Sequence, residues 1–186
     1  MGRRWRSMPS SIQDPGIVVI NNFLTDEECN SLVDYLDKTN NIDAGSSELR
    51  KICFDPKTTL FKNISLRCLS KSKDLFSYEN LYIVEYLIAY YETGFNLELH
   101  SDFGHGREYF EVTATAYLND EFTGGDIVFP KLNYRHSPKK GDVAFFLSKK
   151  EENDHEVEVI TSGRRYVMPI WMTDQKDKSS RFIHKV

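Results

Sequence analysis

The chain has 186 residues, a length that fits one domain, and it is 40% hydrophobic and 13% aromatic, which is too apolar for a disordered chain. Its net charge of -4 argues against nucleic acid as the main partner, because a phosphate backbone calls for a basic face. Cys29, Cys53 and Cys68 form no C-x-x-C spacing and leave an odd count, so neither a disulfide framework nor a structural zinc site is expected, and a reducing, cytoplasmic compartment is the simplest setting.

The basic cluster Arg3-Arg4-Trp5-Arg6 belongs to a solvated arm over residues 1–14. No apolar stretch follows it before Ile17, so it does not read as a signal peptide, and no apolar run approaches a membrane span. Residues 16–20 hold the β-branched run Ile17-Val18-Val19-Ile20, bounded by turn residues, which predicts a strand. Thr25-Asp26-Glu27-Glu28 is a capping box. It starts a helix with Cys29, Leu32, Val33 and Leu36 on one face, ending near Lys38. Residues 40 to 75 are mixed and fit a strand, a helix or a covering loop. From Tyr82 onward the pattern is strand-like: residues 82–91, 95–102, 112–118, 126–130, 143–147, 155–160 and 165–171, separated by turns such as Gly124-Gly125 and Gly141-Asp142. Pro169 predicts an edge position or a bulge for the last of these strands. The residues after Asp174 are charged and expected to fray. One helix followed by many short strands predicts a β-sandwich or barrel.

His100 and Asp102 lie two apart on an expected strand, where period-two geometry puts both side chains on one face. An imidazole and a carboxylate there can take adjacent corners of a metal octahedron. A second imidazole completes a 2-His-1-carboxylate face that leaves three positions open. His155, opening a strand well downstream, is the natural third ligand. His-x-Asp alone is a short pattern that arises by chance; His105, His136 and His184 have no partner at ligand spacing and fall in turn, loop and tail. Arg165 lies beyond the turn at Gly163, where a guanidinium can clamp a carboxylate bidentately, and Tyr117 ends the Thr113-Thr115-Tyr117 face from which a phenol can join it. Metal face and cation together suit a dicarboxylic keto acid. Arg164, its neighbour, should face the other side.

These segments carry a specific resemblance. Tyr90-Tyr91-x-x-Gly94 precedes Leu99-His100-Ser101-Asp102; residues 113–119 lead to Gly124-Gly125 and Phe129-Pro130; Pro138 leads to Gly141-Asp142 and Phe145-Phe146; His155-Glu156-Val157 leads to Gly163-Arg164-Arg165-Tyr166 and Trp171. The ordered series, over residues 15–173, resembles the prolyl-4-hydroxylase-like branch of the 2-oxoglutarate/iron(II) oxygenases. The resemblance implies a mostly β fold with supporting α-helices and a double-stranded β-helix core of the jelly-roll, cupin-like type. It implies three regions: an arm over 1–14, an oxygenase domain over 15–173 and a charged tail over 174–186. It implies His100, Asp102 and His155 as ligands of Fe(II), and 2-oxoglutarate held by Arg165 and Tyr117, with Tyr91 and Thr113 lining its pocket and Trp171 near the site. Dioxygen is the second co-substrate, and ascorbate an optional reductant.

The reaction so implied is hydroxylation of an unactivated C–H coupled to decarboxylation of 2-oxoglutarate. The carboxylate of Asp102 speaks against the halogenating relatives, which lack it. The substrate expected is a prolyl residue in a peptide or protein, or free proline. Another free amino acid or small metabolite is the alternative, and a nucleic-acid dealkylase or a non-catalytic jelly-roll module ranks below both. The loop Phe103-Gly104-His105-Gly106-Arg107, next to the ligands, is the expected substrate lid, its glycines permitting closure. No sequence feature sets the oligomeric state.

Overall fold

The computed structural model describes residues 16–54, 58–104 and 106–180. The arm over 1–14 and His184 therefore lie outside the described residues. The chain opens with β1 (Ile17–Ile20) and α1 (Asp26–Lys38). The capping box forms as the sequence predicts. Glu28 N–H donates to Thr25 Oγ1 at 3.2 Å, and Thr25 N–H donates back to Glu28 Oε2 at 3.0 Å. The helix buries Cys29, Leu32 and Leu36.

The mixed stretch after residue 40 holds β2 (Arg50–Cys53) and a second long helix, α2 (Thr59–Phe76). Its buried face alternates apolar and hydroxyl residues: Phe61, Ile64, Ser65, Cys68, Leu69 and Ser72. The serines dilute the apolar stripe, and the N-cap Thr58 makes no side-chain cap bond, so two of the usual helix signals are weak. Arg67 of α2 donates to both Glu28 oxygens, at 2.7 and 2.9 Å. The carboxylate that caps α1 thus also ties the second helix to the first.

The strands that follow are β3 (Tyr82–Tyr86), β4 (Ile88–Tyr91), β5 (Leu97–His100), β6 (Val112–Tyr117), β7 (Phe122–Gly124), β8 (Ile127–Phe129), β9 (Tyr134–His136), β10 (Val143–Leu147), β11 (His155–Val157), β12 (Ile160–Gly163) and β13 (Arg165–Thr173). All pair antiparallel. The large sheet runs β1-β10-β6-β13-β4-β2, with β3 also on β13; a smaller sheet runs β5-β11-β8-β9, and β12 pairs with β7. Both helices pack on the large sheet, around Leu32, Phe61, Ile64, Ile83 and Met168. A second core, with Ala89, Tyr117, Phe129, Phe146 and Val167, fills the space between the sheets. This is the jelly-roll with supporting helices that the resemblance implies.

Three expectations change. Pro169 lies on a central strand, not an edge, between β6 on one side and β4 and β3 on the other, while the alternative expectation of a bulge is met on the same strand, whose register against β3 shifts between Trp171 and Met172. Its carbonyl accepts from Leu87 N–H at 3.2 Å, at the break between β4 and β3. In an antiparallel pair a residue's N–H and C=O point the same way, so the missing N–H falls at a place where the ladder is already interrupted. His136 sits on β9, not in a loop. The tail stays attached as far as Ser180, whose N–H donates to Ile83 O at 2.8 Å; residues 181–186 lie outside the described residues. No helix among the described residues is long and apolar enough to cross a membrane.

Gly124, at the turn out of β7, has φ +72°, and a Cβ there would stand 2.1 Å from Val159 O. Backbone cannot yield as a flexible side chain does, and the left-handed region disfavours a side chain as well. Gly124→Ala is expected to lower unfolding stability by about 2 kcal/mol or more, measured by urea denaturation; a loss within experimental error would contradict this geometry.

Candidate metal centre

His100 ends β5 and His155 opens β11, and the two are Cα partners across the pair. Between Leu97 and His100 the strand β5 has two residues, Glu98 and Leu99, against one, Glu156, on β11, which is a β-bulge. Strict alternation would place His100 opposite to Phe95 and Leu97. The bulge instead brings all three to the cavity between the sheets and leaves Leu99 53% exposed. Asp102 lies beyond the strand end, in a bend, rather than on the strand as period-two reasoning expects. It still reaches the same point: ligand atoms of His100, Asp102 and His155 all lie within 4.8 Å of one another.

The imidazoles are oriented by the backbone. His100 Nδ1 lies 2.8 Å from Glu98 O, within the bulge, and His155 Nδ1 lies 3.1 Å from Asn153 O. A carbonyl only accepts, so in each neutral ring Nδ1 carries the proton and Nε2 keeps its lone pair. His100 Nε2 is 3.8 Å from Asp102 Oδ1. His155 is buried against Phe129 and Phe146, with ring centroids at 5.4 and 4.9 Å. Burial pushes its imidazole below the usual histidine range, with Asp102 pulling the other way. The ring is thereby held in the neutral form that binds a cation.

Thr113 fixes the carboxylate. Its hydroxyl donates to Asp102 Oδ2 at 2.6 Å. With its proton so committed, it accepts from Ser148 Oγ at 2.9 Å. Oδ1 is left for a metal. Thr113 lines the cavity, yet its hydroxyl serves Asp102 rather than a co-substrate.

Arg165, the first residue of β13, is 3% exposed and lines the same cavity. Its guanidinium lies over the Tyr117 ring, 5.2 Å from the centroid. Arg165 Nε and the Tyr117 hydroxyl are buried with no hydrogen-bond partner among the described residues. Burial drives the arginine below its ordinary value, opposed by Tyr117, Tyr91 and Asp126, and it pushes the Tyr117 phenol up to about 12. Gly125 makes room: a Cβ there would sit 3.0 Å from Arg165 Cδ. Arg164 points elsewhere, to Glu92 at 2.6 Å and over the Tyr90 ring at 4.1 Å.

Tyr91 and Trp171 also line the cavity, Tyr91 stacked on Phe95 at 4.4 Å. Trp171 Nε1 is buried without a hydrogen-bond partner among the described residues. Of the expected lid, Phe103, Gly104 and Arg107 are not cavity-lining, nor is Gly106; Arg107 instead lies over Phe110 at 5.8 Å, and His105 falls outside the described residues. Sequence reading missed Ser148, which has no motif, and placed Thr115 on the face of Thr113 and Tyr117 without giving it a part in the site. It also missed the apolar wall of Leu87, Ile127 and Val157.

A jelly-roll holding two imidazoles and a carboxylate on one face, with a buried arginine across the cavity, defines an oxygenase-type metal site. Residues 86–173 match the family model of the 2OG-Fe(II) oxygenase superfamily, and this segment contains every candidate ligand and anchor residue named above. A protein named as a candidate prolyl 4-hydroxylase in Acanthamoeba polyphaga mimivirus is 32% identical over 72 residues, 35% of this chain and 30% of that protein. The chain thus spans less than a third of the curated relatives it matches. The viral collagen prolyl hydroxylase of Paramecium bursaria Chlorella virus-1, solved with 2-oxoglutarate, has the same fold. Its TM-score is 0.69 at 20% identity, over 87% of this chain and 97% of that one. A Trichoplax adhaerens prolyl hydroxylase, solved with a hypoxia inducible factor peptide fragment, gives 0.66 at 23% identity, over 88% and 86%.

Thr113→Val keeps shape but removes the bond to Asp102. Groups that orient a metal ligand are worth roughly 10- to 100-fold in metal affinity, so a loss of about tenfold in Mn(II) affinity is expected, read by titration with circular dichroism as the fold control. Unchanged affinity would assign Thr113 no part in holding Asp102.

Proposed function

We propose that this chain is a 2-oxoglutarate- and iron(II)-dependent dioxygenase that hydroxylates a prolyl residue of a peptide or protein, with residues 15–173 as its oxygenase domain. The observation that carries the reading is the convergence of His100, Asp102 and His155 in a cavity that also receives the buried guanidinium of Arg165, whose Nε makes no hydrogen bond among the described residues.

The donor set fits the metal. Two neutral imidazoles and a carboxylate suit Fe(II) and leave three positions of an octahedron. His100 and His155 would ligate through Nε2, and Asp102 through Oδ1. The two unpartnered polar atoms on Arg165 and Tyr117 fit the remote carboxylate of 2-oxoglutarate, since an orphaned buried donor is costly unless a ligand or water satisfies it. Bound iron and 2-oxoglutarate supply the oxidising chemistry, in which dioxygen is reduced as the keto acid is decarboxylated to succinate and a C–H is hydroxylated. The protein's part is positioning. Arg165 fixes the far end of the keto acid, the Thr113–Ser148 pair holds Asp102 in place, and Phe129 and Phe146 keep water from the His155 side. The apolar wall of Leu87, Phe95 and Val157 lowers the local dielectric around these charges.

A prolyl substrate is favoured by the relatives. The mimivirus protein and the two solved structures carry prolyl hydroxylase names, and one of the structures holds a peptide. Free proline or another small amino acid is the second reading, and the enclosing apolar wall is compatible with it.

Two outcomes test the proposal. With iron(II) and 2-oxoglutarate, the protein is expected to release succinate and to add one oxygen to a proline-containing peptide, read by mass spectrometry. Asp102→Ala should abolish both, and a variant that still hydroxylates contradicts the ligand assignment. Arg165→Ala is expected to raise the 2-oxoglutarate concentration needed for half-maximal succinate release by roughly 10- to 100-fold, as loss of a charge-assisted hydrogen bond worth about 1.5–3 kcal/mol implies. An unchanged requirement would move the anchor to another residue.

A further inference from the structure

A third buried polar atom without a hydrogen bond lies beside the anchor, with the Asp142 carboxylate 3.5 Å away. His136 Nε2 is buried and makes no hydrogen bond among the described residues, like Arg165 Nε and the Tyr117 hydroxyl. The three belong to one cluster. The His136 ring centroid is 5.7 Å from that of Tyr117, and the same Tyr117 ring lies 5.2 Å from the Arg165 guanidinium. His136 reaches this place because β9 pairs with β8, its Cα opposite Ile127, on the closing edge of the smaller sheet.

We propose that His136 is a positioning residue for the remote carboxylate of the keto acid: acting through Tyr117 and Arg165, it takes up a proton as that carboxylate binds and so makes co-substrate affinity depend on pH. The inference rests on the reading of this chain as a 2-oxoglutarate enzyme.

The charged groups facing His136 set the direction. Asp142, on the turn before β10, has Oδ2 3.5 Å from His136 Nε2. Asp126, before β8, is tied by Ser137 Oγ at 2.8 Å and by Arg135 at 3.6 Å. Arg165 comes from β13 and the Tyr117 phenol from β6. Burial and the arginine's charge push the imidazole below the usual histidine range, while the two aspartates pull it up. In the free protein His136 is therefore neutral near pH 7. A carboxylate that neutralises Arg165 removes one of the two forces keeping it neutral and adds a negative charge nearby. The imidazole's proton affinity then rises. A ligand that raises a pKa binds more tightly with the proton present, so affinity falls as pH climbs through the histidine range. The proton comes from solvent; no covalent bond changes.

The test titrates 2-oxoglutarate into Mn(II)-loaded protein by calorimetry from pH 6 to 8, in buffers of different ionisation enthalpy. This metal supports binding without the iron reaction. The wild type is expected to take up a fraction of a proton per keto acid near pH 7 and to lose about five- to tenfold in affinity across the range. His136→Gln keeps a polar side chain that cannot titrate, and His136→Val fills the space without one. Both are expected to flatten the pH profile and abolish proton uptake, with Gln retaining more affinity at pH 8 than Val. If wild type and both variants share one profile, His136 has no such role while the proposed co-substrate reading stands. If 2-oxoglutarate binds none of the three proteins at any pH, that reading fails and this inference with it.

Discussion

Two backbone carbonyls govern the site. Glu98 O and Asn153 O each take the Nδ1 proton of a histidine two residues onward, and that choice turns both Nε2 lone pairs toward Asp102. Without it the rings would be free to flip or to present a proton where a cation needs electrons. The Glu98 carbonyl stands where it does because β5 carries an extra residue against β11. A local irregularity in one ladder therefore decides the orientation of one candidate ligand, and the convergence of the trio depends on it. Bulges are common beside functional sites for this reason: they re-aim a side chain that regular alternation would point away.

The rest of the architecture supplies rigidity around that point. Thr113 and Ser148 stand on β6 and just after β10, neighbouring strands of the large sheet, so the carboxylate of the smaller sheet's loop is held by the larger one. Arg165 starts β13, the strand that crosses the middle of the large sheet and pairs with β6, β4 and β3. A buried cation on such a strand has little room to move. Its desolvation is costly unless an anion arrives, and this is what makes it selective for one.

The helices contribute at a distance. Glu28 caps α1 and accepts from Arg67 of α2, and together the helices cover the outer face of the large sheet. That cover lets β6 and β13 be apolar on one face while their other face carries Thr113, Thr115, Arg165 and Trp171 into the cavity.

The sequence alone marked the candidate ligands, their order and the class of chemistry they suit. Capping residues, turn glycines and the ordered series from Tyr90 to Trp171 are local signals, written in neighbouring residues, so α1, most strands and the trio His100, Asp102 and His155 were legible. The second helix was less so, because Ser65 and Ser72 occupy positions on its buried face where an apolar stripe is the signal. What only the tertiary structure decided are relations between distant segments. The bulge on β5 exists only against β11, and the interruption that accommodates Pro169 exists only where β4 gives way to β3 on a central strand. The use of Thr113 on Asp102 rather than on a co-substrate needs a loop and a strand to meet. His136, isolated in the sequence, acquires Tyr117 and Asp142 as neighbours only when the sheets close. Period and propensity act over a few residues, whereas ladder register and side-chain contacts between strands are set by packing over the whole domain.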